Sequence, residues 1–480
     1  MRPESSPREY RFRPLQRCWR WCAVVLLPLL LLATATSSSA QIRDDEIEDL
    51  LSEYAKPILD VAGLGGQNVR IFIVSDLGFN AFVVNGRAIF VNAGTLLISK
   101  TPNQIIGVLA HETGHIAGAD LTQLQTANAR ARSAALMCRA LGLAAAVGGV
   151  LAGGGGEVGQ VGMGAAFGCQ GLVQRNILAF RRIEESAADQ AAVTYLNATK
   201  QSARGMLETF AFFASQGLTS SAQINPYLQS HPMPKARIAQ LRNLATSSPY
   251  FGKPDPPSLQ IRHDMMRAKL SGFLEKPAVV FNKYPRANQS LPARYARAIA
   301  TYRKSGLRAF LPQVDALIAA DPGNPYFYEI KGQFLLDGQR PKQALAPLRK
   351  AIALAEQQNR KSSLIRIMLG RSIVLAGGNQ QASEAIGHLR RALSVEKTDY
   401  LGYEALSRAY HKVRRLVDAD MARAKYFRYR PKRSGDEAKD DFASAKLLAD
   451  RVMEQAPVGS KLWVNAQDFV KFELPKGKKK

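Results

Sequence analysis

The 480-residue sequence has only four cysteines and six histidines, and no ordinary apolar run of 18 residues. So few cysteines exclude a disulfide scaffold, and 37 glycines and 24 prolines exclude a collagen-like chain. A hydrophobic content of 46% excludes a mostly disordered protein. At about 150 residues per domain, the length predicts roughly three structural units.

Basic residues greatly outnumber acidic ones in the second half of the chain. Residues 251–480 hold 43 Lys and Arg against 22 Asp and Glu, so +21 of the formal net charge of +26 lies there. A charge of this size predicts an acidic partner: an anionic membrane or lipopolysaccharide surface, or an acidic protein. Nucleic acid is the less favoured alternative, because the chain carries an export signal and no nucleic-acid-binding motif.

The N-terminal 40 residues have the order of a secretory signal peptide. A basic opening precedes a 13-residue apolar run, Ala23–Ala35, and small residues lead to Ala40. The run is short for a bilayer span, which needs about 20 residues. We therefore expect cleavage after Ala40 and export to the periplasm; an uncleaved anchor is the alternative.

Export would determine which cysteines the mature chain keeps and whether they can form a disulfide. Cys18 and Cys22 would leave with the signal peptide, so the mature chain keeps Cys138 and Cys169. In an oxidising compartment these two can form a disulfide, or they can remain two separate buried thiols. The sequence does not choose between the two.

The predicted fold class is α+β and mainly α: a zincin-like domain with a small sheet, followed by a helical solenoid. Helical spacing covers Asp44–Leu64, and β-rich runs follow at Val69–Val74, Ala81–Val84 and Ala88–Val91, with a hairpin signal at Asn85-Gly86. The predicted units are a signal peptide (1–40), a metallopeptidase domain (41–246), a linker and connecting helix (247–290), repeats (291–430) and a basic helical segment (431–480).

The repeats rest on recurring small residues. Gly332, with Ala344, Leu348 and Ala351 after it, is matched by Gly370, with Ala385, Leu389 and Ala392 after it. A looser third copy begins at Tyr403 and includes Ser407, and a fourth lies upstream at Tyr295. Small side chains at these spacings let paired helices approach closely, as in tetratricopeptide repeats, which present a groove to a partner protein. An ordinary helical bundle is the alternative.

The chemistry lies in His111-Glu112-Thr113-Gly114-His115, an H-E-x-x-H sequence. Two histidines at i and i+4 share one face of a helix and can bind one Zn²⁺, while Glu112 can reach water at the metal. With six histidines in the chain, chance produces this pattern rarely. Two core histidines with no metal are the alternative.

A catalytic zinc site needs a third protein ligand and an open position. Glu185 is the candidate, in the alanine-rich sequence Glu184-Glu185-Ser186-Ala187-Ala188-Asp189. Glu185 and Asp189 are i and i+4, so one can bind the metal while the other orients a histidine. A solvated pair facing Arg181 and Arg182 is the alternative.

His231 is the third histidine of interest. It lies in the rigid sequence Ser230-His231-Pro232-Met233-Pro234, just before a predicted helix. A histidine held there can stabilise the oxyanion that forms when water attacks a peptide carbonyl. An ordinary surface histidine is the alternative.

Together, H-E-x-x-H, E-x-x-A-D about 70 residues later, and His-Pro before Arg237 resemble the HtpX/Ste-type zinc metallopeptidases, gluzincins whose periplasmic branch carries tetratricopeptide repeats. The resemblance implies His111, His115 and Glu185 as ligands of one Zn²⁺ and Glu112 as general base. It also implies Asp189 and Arg237 as supporting residues behind the ligands. His231 would cap the zinc at rest and release it on activation.

The resemblance further implies a substrate-binding edge strand before the metal helix. Its match is Asn80-Ala81-Phe82, to which an extended substrate would add as a strand. One departure is Asp120, where a histidine was expected, but that position is not a ligand. The glycine- and alanine-rich residues 140–171 would form a lid or a membrane-touching hairpin, or simply two tightly packed helices.

The predicted function is zinc-dependent endopeptidase activity in the periplasm. The resemblance implies misfolded or misassembled outer-membrane proteins as substrates, with the repeats docking the substrate or the β-barrel assembly machinery. The rival hypothesis is a non-proteolytic tetratricopeptide chaperone or scaffold with a structural zinc.

Overall fold

A computed structural model describes residues 40–118, 178–216, 227, 231–232, 235–377, 379–432 and 434–471, with six single residues between 126 and 140. Within these ranges the chain is mainly helical, with one small sheet, as the predicted fold class requires. No helix in this part of the chain is both long enough and apolar enough to span a membrane.

The first half contains the sheet and the helices around it. Its elements are β1 (Gln41–Ile42), α1 (Asp45–Val61), β2 (Arg70–Val74), β3 (Ala81–Val84), β4 (Ala88–Asn92), α2 (Ala93–Ile98), α3 (Pro102–Ala117), α4 (178–198), α5 (Arg204–Gln216) and α6 (Lys235–Thr246).

The second half is helical throughout its described residues. Its elements are α7 (Pro257–Leu274), α8 (Pro277–Lys283), α9 (Leu291–Ser305), α10 (Leu307–Ala320), α11 (Pro325–Asp337), α12 (Pro341–Gln357), α13 (Ser363–Ala376), α14 (Ala382–Val395), α15 (Tyr400–Lys412), α16 (Leu416–Tyr429), α17 (Gly435–Gln455) and α18 (Lys461–Lys471).

The sheet has the strand order β1-β2-β4-β3. β3 and β4 form the predicted antiparallel hairpin, and Asn85 and Gly86, in the three-residue connection between them, both have a positive φ. β4 also pairs in parallel with β2, and the two-residue β1, which the sequence analysis missed, pairs antiparallel with β2. β3 is therefore an edge strand.

Helix α1 shows how the sequence sets the local structure. Its N-cap is Asp44, whose side chain accepts a hydrogen bond from the backbone N–H of Ile47 at 3.0 Å. Its apolar stripe packs into the core of the first half. The helix ends at Val61, three residues before the predicted end, next to Gly63, which has a φ of +73°.

Helix α3 carries the H-E-x-x-H sequence and is buried along most of its length. Two glycines let other helices approach its backbone. A Cβ built on Gly107 would lie 2.5 Å from Cβ of Met206 on α5, and one built on Gly114 would lie 3.0 Å from Cα of Ala188 on α4. The close approach at Gly114 places the two metal-binding motifs side by side.

The proline-rich segment after α6 is packed against the first half. The carboxylate of Asp255 accepts a hydrogen bond from the backbone N–H of Asn103 at 3.0 Å, and the Ser202 hydroxyl donates to the carbonyl of Phe251 at 2.7 Å. Helix α7 then contributes Met266 and Leu270 to the core of the first half. This part of the predicted linker is thus held against the first half by hydrogen bonds and by core contacts of α7.

The small residues of the predicted repeats lie at helix–helix contacts. A Cβ on Gly332 of α11 would lie 2.4 Å from Cγ of Leu348 on α12, and a Cβ on Gly370 of α13 would lie 2.4 Å from Cγ of Leu389 on α14. Equivalent residues therefore make equivalent contacts in two successive helix pairs. That these pairs are tetratricopeptide repeats stays a prediction.

Candidate metal centre

His111 and His115 lie one turn apart on α3 and point in the same direction. Their Nε2 atoms are 3.1 Å apart. The side chain of His111 is completely buried, whereas that of His115 keeps 13% exposure. The two predicted histidine ligands thus converge on a common point near solvent.

Glu185 approaches the same point from α4. Its Oε2 is 3.3 Å from Nε2 of His111, and its Oε1 is 3.6 Å from Nε2 of His115. The alternative of a solvated carboxylate does not hold, because only 7% of the Glu185 side chain is exposed. The contact between Gly114 and Ala188 sets this distance, since a larger side chain at either residue would push the helices apart.

His231 completes a group of four donors. Its Nδ1 lies 3.3 Å from Nε2 of His111 and 2.8 Å from Oε1 of Glu185. One donor atom from each of His111, His115, Glu185 and His231 lies within 4.8 Å of the others. The closest separations match the edge of a tetrahedron, about 3.3 Å for metal–nitrogen distances of 2.0–2.1 Å. The residues present therefore fit a metal ion.

His231 is held by a residue that the sequence analysis did not identify. Its backbone N–H donates to the carbonyl of Tyr227 at 2.7 Å, and the rings of the two residues lie 4.7 Å apart. Tyr227 is fully buried and makes an edge contact with Phe79 at 5.0 Å. The only sequence signal was an aromatic residue four positions before a His-Pro pair, which is too common to single out.

Glu112 lies beside the donors without joining them. Its Oε1 is 3.6 Å from Nε2 of His231, beyond hydrogen-bond distance. Both carboxylate oxygens of Glu112 are buried, and neither has a hydrogen-bond partner within the described parts of the chain. A buried carboxylate costs free energy unless it has a partner. A carboxylate left free next to a metal site is suited to accept a proton from water.

Asp189 fixes the orientation of His111. Its Oδ1 lies 2.9 Å from Nδ1 of His111, so the carboxylate faces Nδ1 while Nε2 faces the centre. Burial opposes a charge on His111, but the hydrogen bonds and charges of Asp189 and Glu185 outweigh it and raise the pKa of His111 to about 9. A cation and a proton would therefore compete for this imidazole.

Arg237 supports the centre from behind. Its guanidinium makes a bidentate contact with Asp189 at 2.6 and 2.8 Å, and its Nη1 lies 2.7 Å from Oε2 of Glu185. The same Nη1 donates to the carbonyl of Pro232 at 3.0 Å. Burial alone would raise the pKa of Asp189, but Arg237 and His111 hold it below its usual range. One guanidinium thus orients α4 and the His231-Pro232 turn together.

The predicted substrate strand lies next to the centre rather than in it. β3 packs beside α3, and its entry is fixed by Thr95, whose hydroxyl accepts from the N–H of Asn80 at 2.9 Å and donates to its carbonyl at 2.8 Å. Ala81 is fully buried, whereas Phe82 is half-buried. The structure thus gathers seven predicted residues at the centre and sets these three on the neighbouring strand.

Several predictions fall outside the described residues. They are the signal peptide up to residue 39, the departure at Asp120, the pairing of Cys138 with Cys169, the lid or hairpin of residues 140–171 apart from residue 140, and the end of the basic segment after residue 471. All of them stay predictions.

Comparison with known proteins agrees with this geometry. Residues 41–245 match the model of peptidase family M48. Over 352 residues the chain is 24% identical to the beta-barrel assembly-enhancing protease of Escherichia coli (strain K12), covering 71% of this chain and 67% of that protein. It is 21% identical over 373 residues to the protein of the same name from Yersinia pestis, covering 75% and 72%. Residues 41–245 are therefore similar to peptidase family M48, and this similarity indicates a metallopeptidase.

Proposed function

We propose that this chain is an exported, zinc-dependent endopeptidase that hydrolyses misfolded or misassembled outer-membrane proteins. The observation that carries the peptidase part is the convergence of four donors beside the unpartnered carboxylate of Glu112. Similarity to family M48 indicates a metallopeptidase; the metal, the residue roles, the substrate and the compartment are proposed.

Zinc is the cation that this donor set fits best. Three imidazoles and one carboxylate form a mixed nitrogen and oxygen set of four, which Zn²⁺ prefers in tetrahedral geometry, whereas Mg²⁺ and Ca²⁺ prefer oxygen ligands in larger numbers. His111, His115 and Glu185 are proposed as the permanent ligands. When bound, the ion supplies a Lewis acid that polarises the scissile carbonyl and makes nearby water more acidic.

Glu112 is proposed as the general base. Its free carboxylate removes a proton from water as the water oxygen attacks the carbonyl carbon of the peptide bond. The carbon–nitrogen bond then breaks, and Glu112 transfers that proton to the leaving amine. The absence of any hydrogen-bond partner within the described residues supports this role, because a carboxylate already bonded to the protein would be a weaker base.

His231 is proposed to have two positions. In the present arrangement its Nδ1 is the fourth donor, which would leave no open position for a substrate. Activity therefore requires His231 to move out of the donor group, after which its imidazole can hydrogen-bond the oxyanion. Its backbone is held by the carbonyl of Tyr227, and the next residue, Pro232, by Arg237, so loss of these contacts would release the imidazole.

The substrate and the compartment come from the relatives and from the N-terminal pattern. Similarity to proteins named beta-barrel assembly-enhancing protease supports outer-membrane proteins as substrates and the β-barrel assembly machinery as a partner. The signal-like residues 1–40 support the periplasm. The helical half, with its tetratricopeptide-like pairs, would dock the substrate or that machinery, and its positive charge would favour an anionic membrane or lipopolysaccharide surface.

The test is to measure bound zinc and cleavage of an unfolded outer-membrane protein for the mature chain, Glu112→Gln and Glu185→Ala. We expect Glu112→Gln to keep its zinc and lose cleavage by about a thousandfold or more, because the amide cannot take a proton. Glu185→Ala should lose the zinc, since only two permanent ligands remain.

Two other results would change the assignment. Stoichiometric zinc without cleavage by the wild type would indicate a capped resting state, and His231→Ala would then have to restore cleavage. A wild type that binds no zinc would contradict the enzymatic proposal and favour the chaperone or scaffold hypothesis.

A further inference from the structure

Three phenylalanines form a row across the outer face of the sheet. Phe72 of β2 is in register with Phe90 of β4, which is in register with Phe82 of β3. The ring centroids of Phe72 and Phe90 are 5.0 Å apart and those of Phe90 and Phe82 are 5.4 Å apart, and both pairs are stacked. We call this row the phenyl ladder. All three rings are half-buried, and none belongs to the buried core.

The phenyl ladder ends at the open edge of the sheet. Within the described residues, β3 pairs only with β4, so the other side of β3 has no neighbouring strand. The backbone N–H of Asn92 donates to the carbonyl of Asn80, which makes 80/92 and 82/90 the hydrogen-bonded pairs of the hairpin. The backbone groups of Ala81 and Val83 therefore point outward, available to an added strand.

An added strand would continue the phenyl ladder. Side chains alternate between the two faces of a sheet, so a residue paired opposite Phe82 must lie on the face that carries the three rings. Its neighbours two positions away lie on that face too. Residues between them would pair with Ala81 and Val83 and point toward α3 instead.

We propose that the phenyl ladder selects substrates by the pattern of side chains along the bound strand. The enzyme prefers an extended segment with aromatic side chains at i and i+2. Aromatic pairs across neighbouring strands are among the favourable ones in sheets, and stacked or edge contacts add to area burial. Phe82 is then a specificity-determining residue, and the preferred class is a strand of unfolded β-sheet protein with one apolar face. This inference rests on the proposed endopeptidase function.

The test uses the full mature enzyme loaded with zinc and two unfolded peptides of identical composition. One carries its two phenylalanines at i and i+2, which lie on the same strand face, and the other carries them at i and i+3, on opposite faces. We expect kcat/KM to be about fivefold higher for the first peptide, because its second ring lies on the same face as Phe82, diagonal to it, whereas the second ring of the other peptide lies on the opposite face. Phe82→Ser should bring this ratio to about one.

Phe72→Ser is the matched control. It removes a ring of the same phenyl ladder, but two strands from the open edge, so the preference should remain. If Phe82→Ser fails to fold, Phe82→Leu replaces it and should lower the ratio while keeping the apolar volume. Equal cleavage of both peptides by the wild type, or an unchanged ratio in the folded Phe82 variant, would overturn the inference alone. Cleavage of neither peptide by the wild type or by His231→Ala would overturn the proposed function and this inference with it.

Discussion

Two buried clusters of ionisable side chains in this protein differ in how their charges are balanced. At the metal centre, His111, His115, Glu185 and His231 direct lone pairs toward one another. At the junction of the two halves, Lys269 lies among three carboxylates, with Nζ 2.7 Å from Asp44, 3.2 Å from Glu46 and 2.9 Å from Glu329. The junction cluster contains its own cation, whereas the donors of the metal centre surround a point that no side-chain cation of the described chain fills.

The junction cluster therefore has a structural role, whereas the metal centre has the proposed catalytic role. Burial opposes charge on Lys269, but the surrounding carboxylates raise its pKa well above the usual value, so the ammonium stays charged. Burial also raises the pKa of Glu329, to about 7, against the opposing effect of Lys269. A cluster satisfied by its own residues holds helices together. A cluster whose donors have no partner at their centre needs an ion from outside.

Removing the cation of the junction cluster should have the largest effect on folding. Lys269 has 1% side-chain exposure, and Lys269→Met would leave three buried carboxylates facing one another. We expect a loss of about 3–5 kcal/mol, which is typical when one partner of a buried ion pair is deleted. Amide hydrogen exchange of α1 and α11, the helices that the cluster joins, measures this loss as faster local opening.

Lys331→Met is the matched control, because Lys331 lies on the same helix as Glu329 and pairs with the exposed Asp315. A surface pair of this kind contributes about 1 kcal/mol or less. Zinc bound per folded chain should be the same in both variants and the wild type. Loss of zinc in Lys269→Met would show that the two clusters are coupled and would contradict their separate roles.

Arg237 is a side-chain cation that supports the metal centre without entering it. Arg237→Lys keeps the charge but cannot make the bidentate contact with Asp189 and also reach Glu185. We expect zinc affinity to fall about 10- to 100-fold, as for other losses behind metal ligands. Competition with a chelator measures it. Arg262→Lys, at the partly exposed contact with Glu53, should leave zinc affinity unchanged. Equal affinities in both variants would contradict the support role of Arg237.

The sequence could predict the components of the metal centre because local spacing defines them. His111 and His115 share a helix face at any i, i+4 spacing, and Glu185 and Asp189 follow the same rule. The two pairs face each other because Gly114 approaches Ala188 closely, and this is a tertiary contact that local spacing does not define.

The features that the sequence could not predict are contacts between residues far apart in the chain. The parallel pairing of β2 with β4 and the addition of β1 depend on register between separate strands. The proline-rich segment after α6 looked like a free linker because its contacts, such as Asp255 with Asn103, join residues 152 positions apart. The junction cluster around Lys269 was missed for the same reason, since its carboxylates come from α11 and from the start of α1.

The smallest expected effect concerns a third buried site, His263, which contrasts with His111. His111 is buried against two carboxylates and its pKa rises to about 9; His263 is buried between the Tyr54 hydroxyl at 3.1 Å and the Ser99 carbonyl at 2.9 Å, and burial lowers its pKa to about 4. The unfolded chain, with a histidine pKa of about 6.5, then binds more protons than the folded one between these values, so stability falls as the pH falls from 6.5 toward 4. Between pH 7.5 and pH 5 we expect His263 to account for a loss of about 2 kcal/mol in the free energy of unfolding. His263→Gln lacks a titrating group, so its loss over this pH range should be smaller by that amount in urea unfolding. Equal losses in the two proteins would mean that His263 has the same pKa in the folded and unfolded states, and that burial without a charged partner does not shift the pKa of an imidazole here.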